Sequence, residues 1–225
     1  MLTSMAPVQH LGDAKTKLLD AAVAVIRSKG YSAATVDEIC RVAGVTKGAF
    51  FHHFASKEEF AVAVADHFAA QANGVFATAS YRELPDPLDR LLGYVEFRKT
   101  LLQGEIADYT CLYGTMVQEA YDTHPPIREA CDRYLRENAQ MVATDISAAM
   151  ERYGIEEDWT AESLALYTQA VLQGAFILAK AQQGAAVATE CLDHLRRYLE
   201  QLFDRSRKPL MSRPAVQLAT ADKAR

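Results

Sequence analysis

A chain of 225 residues, half of them hydrophobic and 24% charged, has enough apolar material to build a core without disulfides or metal. Its net charge of −5 is uneven: residues 1–60 carry +1, residues 61–204 carry −11 and residues 205–225 carry +5, so the acidic body repels nucleic acid and any DNA contact falls to the N-terminal part. The four cysteines, Cys40, Cys111, Cys131 and Cys191, form no CxxC pair, which excludes a zinc module or disulfide framework; with no signal-peptide pattern over residues 1–15, a reducing cytoplasm is expected.

Helix signals then follow one another along the chain. Leu18, Leu19, Ala22, Val23, Val25 and Ile26 recur at helical spacing over residues 15–29, and Gly30 stops the run. Thr35 and Glu38 form a capping box that opens a short second helix ending near Ala43-Gly44. Thr46 caps a third, and Ser56 with Glu59 opens a long fourth running to about Phe76. Leu84-Pro85-Asp86-Pro87 is a break, and Pro87 suits the first position of a fifth helix reaching about Gly104. A sixth covers 108–121. His124-Pro125-Pro126 restarts the chain into a seventh that ends at Tyr153-Gly154.

The eighth helix runs from near Asp158 or Thr160 to Gln183-Gly184. Its apolar stretch is interrupted by Gln169, Gln173 and Lys180, which marks a buried helix rather than a membrane span. A ninth covers 188–204. The expected fold is all-α, with about nine helices: an N-terminal module over 1–58 (1–12 flexible), an acidic helical body over 59–205, and a disordered basic tail over 206–225 that either solubilises the chain or assists any DNA contact. The fourth helix belongs to both parts.

Residues 35–53 have the dimensions of a helix-turn-helix. Val36, Ile39, Val42 and Ala43 supply an inner face for its first helix, and Val45, Ala49, Phe50 and Phe54 for its second; Gly44 permits the positive φ of a sharp turn. The outward set is then Thr46, Lys47, Gly48, Phe51, His52, His53 and, just beyond, Lys57. Lysine, threonine and histidine donate to phosphates or base edges, and Gly48 keeps the helix slim for close approach to a duplex. Lys57 sits in the first turn of the fourth helix, where free N–H groups also favour a phosphate. Phe51 is divided between packing and the DNA face, and His53 between the DNA face and plain surface. Adjacent helical residues point about 100° apart, so His52 and His53 do not make a metal site, and no metal or cofactor is expected.

The run TVDEICRVAGVTKGAFFHHFASKEEF resembles the N-terminal signature of the TetR family of bacterial regulators over about residues 15–62. The resemblance implies a homodimer that binds a near-palindromic double-stranded DNA operator and releases it on binding a small, partly apolar molecule. By position, Thr35, Thr46, Lys47, Gly48, Phe51, His53 and Lys57 match the residues that usually meet DNA in that family. Where this chain has Phe51 the family often has tyrosine, so a phosphate contact by that hydroxyl is lost.

The acidic bundle can enclose a pocket walled by Phe68, Tyr94, Phe97, Met116, Met141, Tyr167 and Phe176, each of which could equally be plain core. Glu119 and Gln173 are polar groups on apolar stretches that could orient an effector. Cys111, read as lying in the first turn of the sixth helix, either senses electrophiles or lines core and pocket. Two broad apolar faces, Leu164, Val171, Leu172, Ala175 and Leu178 on the eighth helix and Leu192, Leu195, Leu199 and Leu202 on the ninth, are expected to form a four-helix dimer interface. No GxSxG, HExxH or GxxxxGK[ST] motif marks a catalytic centre, so no catalytic residue is assigned. Control by a partner protein or by cysteine oxidation, and an all-α enzyme, are the rival readings.

Overall fold

The computed structural model describes residues 13–203, and the expected flexible segment 1–12 and basic tail 206–225 lie outside the described residues. Among the described residues there are ten α-helices and no strand: α1 (Ala14–Lys29), α2 (Val36–Ala43), α3 (Lys47–His53), α4 (Lys57–Ala77), α5 (Pro87–Thr100), α6 (Ile106–Tyr109), α7 (Leu112–Ala120), α8 (Pro125–Tyr153), α9 (Ala161–Gln182) and α10 (Ala186–Leu202), with a single 3-10 turn at Ser80–Glu83. The expected caps hold the N-termini: the hydroxyls of Thr35, Thr46 and Ser56 accept from the N–H groups of Glu38, Ala49 and Glu59.

Two apolar clusters organise the molecule. The first joins the buried face of α1 (Leu18, Ala22, Ile26) to Ile39, to the aromatic group Phe50, Phe54 and Phe60, and onward to Leu112, Tyr113 and Met116 of α7 and Ile127 of α8. The Phe50 and Phe60 rings meet edge to face at 5.0 Å, and Phe54 and Phe60 at 4.7 Å. The second gathers the end of α4 with α5, α8, α9 and α10 around Leu91, Val95, Ile146, Leu172 and Leu199. Ion pairs brace its edges: Arg90 Nε meets Asp145 at 2.6 Å, and Lys99 Nζ meets Asp193 at 2.6 Å.

The expected sixth helix is two helices. Thr110 and Cys111 between them are both extended (φ −79, ψ 158 and φ −80, ψ 128), so Cys111 is the N-cap of α7 and not a first-turn residue. Glu105 and Asp108 open α6 in a capping box, and just past its end the Thr110 carbonyl accepts from Arg27 Nε of α1 at 2.7 Å rather than from a continuing helix. Val42 also departs from its expected inner position: it is 49% exposed, because α2 buries mainly Ile39 and Cys40 over its two turns.

Candidate DNA-binding surface and effector cavity

Gly44 caps α2 in the left-handed conformation (φ 66, ψ 33), and the chain turns through it into α3. This turn presents Lys47, Gly48, Phe51 and His52 outward, with Thr35 and Thr46 exposed beside them and His53 half-buried. Phe51 is 55% exposed, so its ring is open to a partner. The Thr35 and Thr46 oxygens accept backbone N–H groups, which leaves their own O–H groups to donate outward. Lys47 Nζ lies 2.8 Å from Asp37 in an open ion pair that contributes little to stability and leaves the lysine free to exchange partners. A Cβ at Gly48 would meet only Thr46 Oγ1 at 3.7 Å, so nothing in the free fold requires glycine there. Among the described residues no three His, Cys, Asp or Glu side chains gather to hold a metal ion.

Lys57 is committed differently from its companions. Its ammonium donates to the Tyr31 carbonyl at 2.7 Å and lies 4.4 Å from the Tyr31 ring centroid, and burial holds its pKa below the ordinary lysine value. It anchors the α1–α2 loop. Lys57→Ala is therefore expected to cost about 1–2 kcal/mol of stability in urea titrations while leaving the salt dependence of DNA binding unchanged. A reduced salt slope would return Lys57 to the phosphate-contacting set.

Between the two apolar clusters lies a cavity of about 270 Å³. Of the expected wall residues, Phe68, Cys111, Gln173 and Phe176 line it. A second cavity of about 250 Å³ shares Thr110, Cys111, Gln173 and Phe176 with the first and adds Glu119 and Lys180. Five expected wall residues lie elsewhere. Tyr94 and Phe97 pack beside Phe76 and Tyr81. Met116 is wholly buried under the head, Met141 faces α5 and α4 in two smaller crevices, and Tyr167 stands on the outer face of α9 against Tyr198. Helical periodicity tells an apolar face from a polar one but does not say which apolar face meets a void.

Sequence reasoning missed Arg27, Arg98, Thr110 and Gln169, which all line the larger cavity. Arg27 stands in the last turn of α1 and carries no motif in the sequence. Gln169 was the available signal, a polar residue inside the most apolar helix, where it was read only as an interruption.

The expected dimer residues need correction too. Leu164, Leu172, Ala175, Leu192, Leu195 and Leu199 are buried inside the subunit, none more than 5% exposed, because they face α5, α8 and each other's helix. Val171 and Leu202 are partly buried against the same cluster. Only Leu178 points outward, at 42% exposure, together with Leu166, Tyr167 and Ile177 of α9 and Tyr198 of α10. The Ala161–Gln182 helix is long and apolar enough to cross a membrane by length and composition, yet one of its faces is buried on α8 and α10.

Glu119 of α7 reaches the head. Its Oε2 accepts from Ser32 N at 2.7 Å, so α1 and its loop are tied to the body both here and through Arg27. These features agree with what the chain resembles. The family model "Bacterial regulatory proteins, tetR family" matches residues 18–64, and "Tetracyclin repressor-like, C-terminal domain" matches residues 87–210. The HTH-type transcriptional repressor DhaR of Mycobacterium sp. (strain GP1) is 26% identical over 166 residues, 74% of this chain and 82% of that protein. The HTH-type transcriptional repressor NemR of Escherichia coli (strain K12) is 30% identical over 144 residues, 62% of this chain and 68% of that protein. The crystal structure of a TetR transcriptional regulator from Chloroflexus aurantiacus superposes with a TM-score of 0.74 at 24% identity, covering 84% of this chain and 94% of that one. An exposed helix-turn-helix on a helical body, matched in both halves, places this chain in the tetR family of bacterial regulatory proteins.

Proposed function

We propose that this protein is a one-component transcriptional repressor: residues up to about 58 hold a near-palindromic operator, and a small molecule in the cavity of the body releases it. The observation that carries this reading is the position of Arg27. It belongs to α1 of the head, yet its side chain lines the cavity of the body and bonds the Thr110 carbonyl there. A molecule that draws on Arg27 alters the contact between head and body. It shifts the equilibrium only by the difference in its affinity for the two arrangements. In a dimer the two α3 helices enter successive major grooves about 34 Å apart, so a small rotation of each head breaks the match. The second copy docks on the outward face of α9 and α10, where Leu166, Tyr167, Ile177, Leu178 and Tyr198 make an exposed apolar surface among the described residues.

The DNA-contacting set is Thr35, Thr46, Lys47, Gly48, Phe51 and His52, with His53 at its edge. Lys47→Ala is expected to weaken binding across sequences and to reduce the salt slope by about 1, because one phosphate contact is removed. Gly48→Ala is expected not to lower thermal melting, since its Cβ meets only Thr46 Oγ1 at an ordinary 3.7 Å in a helix that favours alanine, and to weaken operator binding by crowding the duplex. Mobility-shift titrations at several salt concentrations on a selected operator measure both. Wild-type affinity in both variants would remove the assignment of α3 as the recognition helix.

A further inference from the structure

Three buried polar side-chain atoms among the described residues have no hydrogen-bond partner: the Tyr109 hydroxyl, the Thr110 hydroxyl and the Gln169 amide nitrogen. Their residues are 8%, 1% and 6% exposed, and all three line the same 270 Å³ cavity. An unpaired buried donor destabilises the fold, so three around one void are a local penalty unless something completes them. All three can donate a hydrogen bond.

Two guanidinium groups face the same space. Arg27 Nε donates to the Thr110 carbonyl at 2.7 Å and its Cζ lies 5.3 Å from the Phe68 ring. Arg98 Nε donates to the Tyr94 hydroxyl at 3.0 Å and its Cζ lies 4.5 Å from the Phe76 ring. Among the described residues neither forms an ion pair with a carboxylate, and their remaining N–H groups are available. The lining holds one acid, Asp108, whose Oδ2 already accepts from Glu105 N at 2.9 Å. Burial disfavours the charged form of Arg27, and the nearby Asp108 carboxylate offsets this only in part. Phe68, Leu172 and Phe176 supply apolar surface, beside the neutral amides of Gln71, Asn138 and Gln173.

We infer that the effector is an organic anion, an apolar body ending in a carboxylate, with its oxygens on Arg27 and the Tyr109, Thr110 and Gln169 donors. This rests on the regulatory reading above and adds the chemical class of the molecule. A carboxylate offers acceptors and negative charge together, and the wall sets a single carboxylate, Asp108, against two guanidinium groups. A neutral amide adds no negative charge beside the guanidinium groups, and an amine meets two cations against one acid. A carboxylate on Arg27 also competes with the Thr110 carbonyl for the guanidinium and so acts on the link between α1 and the α6–α7 junction.

Two matched series test the class by isothermal titration of the full chain: octanoate, octanamide and octylamine, and phenylacetate, phenylacetamide and phenethylamine. At least one carboxylate is expected to bind about tenfold or more tightly than its amide, with no binding of its amine, and to release operator in a mobility shift. Arg27→Gln should abolish the preference for carboxylate over amide. Gln169→Leu removes an unpaired buried amide; it should raise the melting temperature while weakening carboxylate binding several-fold. Amides binding as well as the acids, neither acid binding, or a preference that survives in both variants would each overturn the inference. Calorimetry needs no DNA, so loss of the carboxylate result with operator binding intact defeats only the ligand class. A wild-type protein that binds no operator defeats the regulatory reading instead.

Discussion

Gly30→Ala is expected to lower the stability of the protein by roughly 2–5 kcal/mol and to loosen the head from the body. Gly30 ends α1 at φ 92 and ψ 165, a region that only glycine enters without strain, and the backbone term alone is about 1–3 kcal/mol. The second part is a collision. A Cβ at Gly30 would overlap Oε1 of Glu119, whose other oxygen accepts from Ser32 N at 2.7 Å. Glu119 is flexible and can withdraw, but only by giving up a charge-assisted bond of about 1.5–3 kcal/mol. Gly44→Ala separates the two parts. It also carries positive φ, at 66, but nothing lies within 4 Å of its Cβ, so it feels backbone strain alone. Urea titrations of Gly30→Ala, Glu119→Ala and the double variant close the cycle. The double variant should cost less than the sum of the singles; additivity would mean that Glu119 does not bind the loop that Gly30 shapes.

The helix-turn-helix was legible in the sequence because its determinants are local. Thr35, Thr46 and Ser56 cap within three residues of themselves, Gly44 sets its own turn, and Phe50, Phe54 and Phe60 fall close together along the chain. The cavity was not, because its chemistry comes from residues far apart. Arg27 meets Thr110 across 83 positions, and Lys180 meets Thr115 across 65. The same long-range bond from Arg27 broke the expected sixth helix and moved Cys111 out of its first turn. Periodicity found the apolar character of α9 but could not rank its faces. A helix clad on several sides with Leu, Ala, Ile and Tyr packs its tightest side inward, and which side that is depends on neighbours hundreds of atoms away in the chain.

That ranking of faces yields the second large effect. A charge at Leu195 and a charge at Ile177 should behave in opposite ways, although both residues are apolar and both lie on the last two helices. Leu195 is 2% exposed in the cluster shared with α5 and α9. A glutamate there takes a carboxylate out of water with no partner, at a cost of several kcal/mol, and is expected to melt the body. Ile177 is 51% exposed, as is Leu166 about three turns earlier on the same helix. Ile177→Glu or Leu166→Glu is expected to keep the helical circular-dichroism signal and to give a monomer by light scattering. Each half-site is then bound singly, and the gain from linking two heads on one operator disappears, a loss of about 100-fold or more in affinity. Circular dichroism separates an unfolded chain from a folded monomer, so the two outcomes cannot be confused. A folded Leu195→Glu monomer beside an Ile177→Glu dimer would place the interface on the inner face and reverse the assignment.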